Sequence, residues 1–242
     1  MALVFKSSVD FLPRIDRMIP RRLDSAFFGV GSFFDSEPLF GVAKGVWRTV
    51  GGYSGGRYEH PSYEDQGDHM EAVMVEYDPL AISYGQLLDI FLSRYGYQDA
   101  LAFQYISVVF VKNEFEKRLA QAAVSRYELR LGSDNYVKAA MYKNFNQAEK
   151  WRQKHYLRLV PQLMDELRHM YRDEDCLIQS TLATRLNGIL GQRLCRSTPP
   201  SYVPDDFEFY DLSDNTADIL QNALAMPFMN DAVCNKVHQL QI

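Results

Sequence analysis

The chain has 242 residues, 47% of them hydrophobic and 13% aromatic, with a formal net charge of −5. That apolar content supports a real core in one large domain, or in a domain with an appended module, whereas the acidic balance excludes a general nucleic-acid binder, which needs basic excess to displace phosphate counterions. No run approaches the roughly eighteen apolar residues of a helical membrane span, and three cysteines, Cys176, Cys195 and Cys234, without CxxC spacing exclude a disulfide scaffold or a cysteine zinc site and suit a reducing, cytoplasmic compartment.

The first stretch, MALVFKSSVDFLPRIDRMIPRRL, carries five basic residues. Asp10 and Asp16 interrupt it and no small-residue cleavage site follows an apolar core, so a secretory signal is not expected. Its basic amphipathic character leaves a mitochondrial presequence as the alternative to the cytoplasm. SAFFGVG, 25–31, is a short apolar run ending in glycine, the pattern of a buried strand reaching a turn. A helix is expected from about Phe33 to Phe40, with Gly41 as its stop. VWRTVGGYSGG, 46–56, reads as a strand entering a loop, its glycines 51, 52, 55 and 56 chiefly permissive turn residues. MEAVMVEY, 70–77, predicts a strand in which Glu71 shares a face with Val73, Val75 and Tyr77, a carboxylate at the end of an apolar stripe.

Asp78-Pro79 breaks that strand. Ser83 with Gln86 three residues later is a capping-box signature for a helix whose inner face is Leu87, Leu88, Phe91 and Tyr95. ISVVFVK, 106–112, is the next strand, and EFEKRLAQAAVSRYELRLG, 114–132, predicts an amphipathic helix with Phe115, Leu119, Ala122, Ala123 and Tyr127 inward and Gly132 as its stop. The order predicts an α+β fold, a βαββαβ sandwich with helices on one face of a mixed sheet. After about residue 158 the character changes to helical segments (PQLMDELRHMYR, LIQSTLATRLNGILG), a Pro-rich break at 198–200, an acidic aromatic patch DDFEFYDLSD and a last helical stretch. The expected division is an N-terminal extension, 1–23, a main domain, 24–158, and a helical C-terminal extension, 159–242, on a loose linker, with the acidic patch a solvated loop or, as the alternative, a docking site for a basic partner.

The residues that could carry chemistry are Ser32 at the strand-to-helix turn, Phe33 and Phe34 beside it, Tyr53, Glu71 and Tyr105. A turn from strand into helix leaves amide donors that stabilise an anion. GVGSF is not a nucleophile elbow, so Ser32 can equally be a plain helix N-cap. Glu71 can be a surface residue and the tyrosines packing residues. The glycines fit no dinucleotide or Walker spacing, and His69 and His155 have no metal-ligand partners in spacing and read as structural; no metal site is expected.

In order along the chain, GSFF at 31–34, EPLFGVAKGVWRTVGGYSGG, PSY at 61–63, HMEAVMVEYDPLAISYGQLLDIF at 69–91, QYISVVF at 104–110 and AEKWRQKHYL at 148–157 resemble the catalytic domain of peptide methionine sulfoxide reductase A. The family hallmarks are GCFWG, GYAGG, PxY, GHAEAVxVxYDP, ISYxxLLxxF, TQYRS and AExYHQxYL. The resemblance covers about 24–158, and STLATRLNGIL at 180–190 is similar to the C-terminal extension of animal members. It implies the ferredoxin-like sandwich of that family and thiol-dependent reduction of methionine-S-sulfoxide in proteins and peptides, by a monomer with no bound cofactor and with thioredoxin or another thiol as reductant.

By position, the resemblance makes Glu71 the acid, Tyr53 and Tyr105 the holders of the sulfoxide oxygen, and Phe33 and Phe34 the cradle of the methyl group. The family's nucleophilic cysteine falls on Ser32. Cys195 or Cys234 would be the resolving thiol. An alkanol lies many pKa units above a thiol and is a hard nucleophile toward sulfur, and it forms no sulfenic acid for a second thiol to resolve. A catalytically impaired or inactive member is therefore expected; the alternatives are residual reductase activity from a tail cysteine and a non-catalytic interaction protein. Phe34 stands for the family's tryptophan, and DALAFQYIS replaces NDxGTQYRS, its aspartate falling on Ala100, so Ser32 is one of several departures.

Overall fold

A computed structural model describes residues 12–95, 107–131, 137–194 and 210–225. Its sheet has six strands in the order β5-β4-β1-β3-β2-β6. In chain order these are β1 (Asp24–Gly29), β2 (Val46–Ser54), β3 (Met70–Tyr77), β4 (Val108–Val111), β5 (Lys138–Met141) and β6 (Phe145–Gln147). The helices are α1 (Arg14–Arg17), α2 (Phe33–Gly41), α3 (Tyr84–Tyr95), α4 (Glu114–Leu131), α5 (His155–Arg158), α6 (Pro161–Met170), α7 (Glu174–Ile178), α8 (Thr181–Leu194) and α9 (Asp214–Ala225). The four strands β4-β1-β3-β2 pair antiparallel throughout, which with α2 and α3 gives the expected ferredoxin-like βαββαβ arrangement.

Alternation along the strands sorts the core. Ala26, Phe28, Val73, Val75, Tyr77, Val109 and Val111 face α2, α3 and α4, joining Phe33, Phe40, Leu87, Phe91 and Ala123 in one large cluster. Phe27, Ala72 and Phe110 point to the other face, where Tyr142 stacks on Phe27 at 4.2 Å. The capping box forms as read: the Ser83 amide donates to Gln86 Oε1 at 2.9 Å and the Gln86 amide returns to Ser83 Oγ at 3.3 Å. The edge strands β5 and β6 were not expected. Lys138–Met141 contains no β-branched residue, and its strand conformation comes from parallel pairing with β4.

Three expectations need correction. Phe115 is 63% exposed and Ala122 also faces solvent; the inward residue at that end of α4 is Glu116, whose carboxylate accepts the Lys112 amide at 2.8 Å. Gly51 and Gly52 lie inside β2, not in a turn: a Cβ on Gly51 would come within 2.7 Å of the Phe33 ring, and one on Gly52 within 2.3 Å of the Asn146 carbonyl. Gly41 is the last residue of α2 and not a left-handed stop, since the cap is Val42 in the right-handed region. Gly132 and the 198–200 break lie outside the described residues.

Gly41 is small for another reason. A Cβ there would sit 2.6 Å from the Thr184 carbonyl oxygen, and a Cβ on Gly188 2.7 Å from the Gly41 carbonyl carbon, so α2 and α8 cross backbone to backbone. Around this crossing α8 makes polar contacts with the sheet domain. Thr184 Oγ1 accepts the Thr49 amide, and Arg185 donates to the Gly41, Ala43 and Val46 carbonyls, satisfying acceptors at the end of α2. Asn187 Oδ1 accepts the Tyr156 and Leu157 amides that open α5. The described part of the acidic patch is also packed: Tyr210 is buried, and Asp211 accepts the Arg14 amide at 2.7 Å.

Because backbone cannot retreat as a side-chain tip can, Gly188→Ala should cost about 1–3 kcal/mol in urea unfolding. Gly85→Ala, in open space on α3 with only Ser83 Oγ at 3.9 Å, should instead stabilise by about 0.5–1 kcal/mol. Equal effects at the two positions would refute the crossing as the cause.

Candidate active site

The site forms where β1 ends and α2 begins, beside the start of β3 and the end of β2. Gly29 pairs with Ala72 and Tyr53 with Glu71, so the sheet register alone brings the turn, the carboxylate and the phenol to one corner. Glu71 grips the turn twice. Its main-chain carbonyl accepts the Val30 amide at 2.9 Å, and its side-chain Oε2 accepts the Phe33 amide at 2.9 Å. The carboxylate therefore satisfies the first free amide of α2, whereas a capping serine would take the Phe34 or Asp35 amide.

Ser32 occupies the N-cap position with φ −149° and ψ 123°, and its side chain makes no capping hydrogen bond. This corrects the plain N-cap reading: the position is right and the bond is absent. Its carbonyl accepts the Ser36 hydroxyl at 2.6 Å, which fixes the first turn of α2. The half-buried Ser32 side chain is thus set at a helix N-terminus beside a carboxyl group, in a conformation dictated by its neighbours.

Burial pushes the Glu71 carboxyl up to about 7 from the ordinary 4.5; the Phe33 amide and Gln66 oppose the shift, Asp35 adds to it and Arg152 opposes it. Desolvation wins because one amide and a long contact from Gln66 at 3.5 Å replace a full hydration shell. Near neutral pH the group is divided between acid and carboxylate, the condition for moving a proton.

Tyr53 is 0% exposed, its ring edge-on to Phe33 with centroids 6.1 Å apart. Its hydroxyl donates to Glu149 Oε2 at 2.9 Å, while Glu149 Oε1 accepts the Tyr63 amide at 2.9 Å. Burial, then the hydrogen bond and charge of Glu149, raise the Tyr53 pKa above its usual value, so the phenol stays a donor. Burial also works against the Glu149 carboxylate, but the Tyr63 amide, its own amide, the Tyr53 hydroxyl and the Arg152 charge together hold its pKa below the ordinary value.

The two phenylalanines differ. Phe33 is fully buried over Gly51 and belongs to the core, whereas Phe34, at the edge of it, meets Phe33 at 4.7 Å, His155 at 4.6 Å and Tyr63 at 6.0 Å. Ser32, Phe33, Phe34, Tyr53 and Glu71 are therefore brought together. Tyr105, Cys195 and Cys234 lie outside the described residues, as do Ala100 and Phe103. Cys176 is exposed on α7, its amide donating to Asp173. His69 is structural as read, accepting the Gly56 amide at Nδ1 and contacting the Tyr58 carbonyl through Nε2.

Tyr63, Glu149, Arg152 and His155 also belong to this corner, which their residue types alone do not reveal. Their signal was the motif pair PSY and AEKWRQKHYL, which brings no chemistry by spacing because the two segments lie far apart in the chain. A family model described as peptide methionine sulfoxide reductase matches residues 24–180. Peptide methionine sulfoxide reductase A5 of Arabidopsis thaliana is 40% identical over 182 residues, which cover 72% of this chain and 70% of that protein. The peptide methionine sulfoxide reductase of Drosophila melanogaster is 36% identical over 169 residues, 69% of this chain and 68% of that one. In fold, the chain is similar to methionine sulfoxide reductase A of Corynebacterium diphtheriae, with a TM-score of 0.50 at 23% identity over 59% of this chain and 77% of that one.

The raised Glu71 pKa fixes a sign. Between 4.5 and about 7 the folded protein holds a proton that the unfolded chain has released, so this group's contribution to stability falls as pH rises through that window and levels above it. Glu71→Gln should flatten that part of the stability profile, read by thermal melts across pH 4 to 8; an unchanged slope would place the titration elsewhere.

Proposed function

Because the chain belongs to the peptide methionine sulfoxide reductase family, we propose that it binds methionine sulfoxide side chains of proteins and peptides at this corner without turning them over. The observation that carries the reading is the hydroxyl of Ser32 at the N-cap of α2, one residue before the amide that Glu71 engages. The resemblance aligns this position with the nucleophilic cysteine. A thiol with a pKa of about 8.5 is readily tuned to a thiolate beside a helix N-terminus, whereas an alcohol is not. Without a sulfur nucleophile no sulfenic acid forms, so neither a resolving cysteine nor thioredoxin has a substrate.

The binding half of the chemistry has its groups. Phe34 offers an aromatic wall at the core edge, and sulfur contacts with aromatic rings contribute about 0.3–1.5 kcal/mol each. Glu71, partly protonated at neutral pH, can donate a hydrogen bond to a sulfoxide oxygen, an acceptor that a plain thioether lacks. Tyr53 is committed to Glu149 and orients the corner through it.

Wild-type protein incubated with a methionine-S-sulfoxide peptide and dithiothreitol should give no turnover above background, and Ser32→Cys should introduce it, with thioredoxin as a competent reductant. Steady turnover by wild type that survives blocking of every thiol would overturn the reading. Turnover lost on replacing Cys195 and Cys234 would instead assign the chemistry to the tail.

A further inference from the structure

The aromatic wall does not stop at Phe34. His155, Phe34, Tyr63, the guanidinium of Arg152 and Trp151 form a continuous ladder: His155 on Phe34 at 4.6 Å, Phe34 to Tyr63 at 6.0 Å, Arg152 Cζ 3.6 Å over the Tyr63 ring and 3.9 Å over the Trp151 ring. It runs from the buried corner to the surface, where Trp151 is 56% exposed. Two rings thus lie within 4 Å of the guanidinium carbon, and hydrogen bonding is left to the in-plane N–H edges of the group.

Those edges are under-used. Arg152 is 9% exposed, yet its Nε–H finds no acceptor among the described residues. Among the described residues the carboxylate oxygen nearest its terminal nitrogens is Glu64 Oε1 at 3.7 Å, beyond hydrogen-bond range and on a side chain 67% exposed. Two further acids face the group: Glu149, already taken by the Tyr53 hydroxyl and the Tyr63 amide, and Glu71, taken by the Phe33 amide. A buried guanidinium with an unfilled donor beside a displaceable surface carboxylate is arranged to receive a carboxylate from outside, because its planar fork matches that group edge to edge.

The ladder also sets where that carboxylate sits. Its two contacts place Arg152 within about 10 Å of the Phe34 ring, and an extended peptide brings the side chains of residues i and i+2 to the same side within that span. We infer that Arg152 is a specificity residue of this corner, recognising an acidic side chain two positions from the methionine sulfoxide of a bound peptide, with Glu64 holding the place until the ligand arrives. The inference rests on the proposed binding of methionine sulfoxide at Phe34 and Glu71 and adds the sequence context of the ligand.

The test compares fluorescently labelled peptides by anisotropy on the full-length protein. Each carries a central methionine-S-sulfoxide and either glutamate or glutamine two positions away on one side or the other; a further pair carries norleucine at the centre. Wild type should bind the better glutamate peptide on the order of tenfold tighter than its glutamine counterpart. Arg152→Gln should bring that ratio close to one, with a melting curve confirming that the variant is folded. Glu64→Gln, at an exposed position, should raise the ratio by removing the competing carboxylate. A wild-type ratio near one on both sides, or a Glu64→Gln ratio no higher than wild type, overturns the role of Arg152 while a preference for sulfoxide over norleucine leaves the binding reading standing. Equal binding of sulfoxide and norleucine peptides overturns both.

Discussion

Lys154 and Glu37 meet inside the protein with no solvent on either side chain. Burial pulls the Lys154 pKa down while the Glu37 charge works against that pull, so the ammonium depends on its partners to remain charged. Those partners come from α2, β2 and α8. Lys154 Nζ donates to Glu37 on α2 and to the Thr49 carbonyl on β2; Glu37 in turn accepts the Thr49 hydroxyl at 3.1 Å and Asn187 Nδ2 of α8 at 3.4 Å. Lys154 reaches inward from a left-handed backbone conformation, φ 56°, just before α5. A strand, two helices and a linking segment are thus fixed to one another by a single buried charge pair.

This constraint is what makes the strand-to-helix corner possible. α2 is short, with proline at its sixth position, and carries little helix stability of its own. It is held instead by Glu71 at its amino end, Glu37 near its middle and Arg185 at its carboxyl end. Glu71 has an additional task there, because the same burial that lets it hold the turn raises its proton affinity into the neutral range. Structural fixation and acid–base character are two results of one desolvated carboxylate.

What was legible in the sequence follows the range of the interaction that fixes each element. The capping box of Ser83 and Gln86 is local, and its helix formed as read; the alternation of β3 is local too, and it placed Glu71 on the helix face of the sheet. The misreadings occur where distant contacts decide. Hydrophobicity alone points Phe115 inward, but Lys112 draws Glu116 in and turns Phe115 out. Gly41 has the place of a stop after an apolar run, and its partner Gly188 is too remote for any spacing rule to connect them. The corner itself was legible only in part: Ser32, Phe34, Tyr53 and Glu71 stood out as motif residues, whereas Glu149 and Arg152 gain their meaning from the side chains they meet after folding.

The bare contact between Gly41 and Gly188 reaches as far as residue 32. With no side chain to act as a cushion, α2 is pressed between the sheet and α8 and cannot slide or rotate to suit the residue at its leading end. Position 32 is therefore presented at one spot whichever atom it bears. Scaffold and side chain are separable here: Ser32 makes no capping bond, so the frame of the corner would stand with another small side chain in its place.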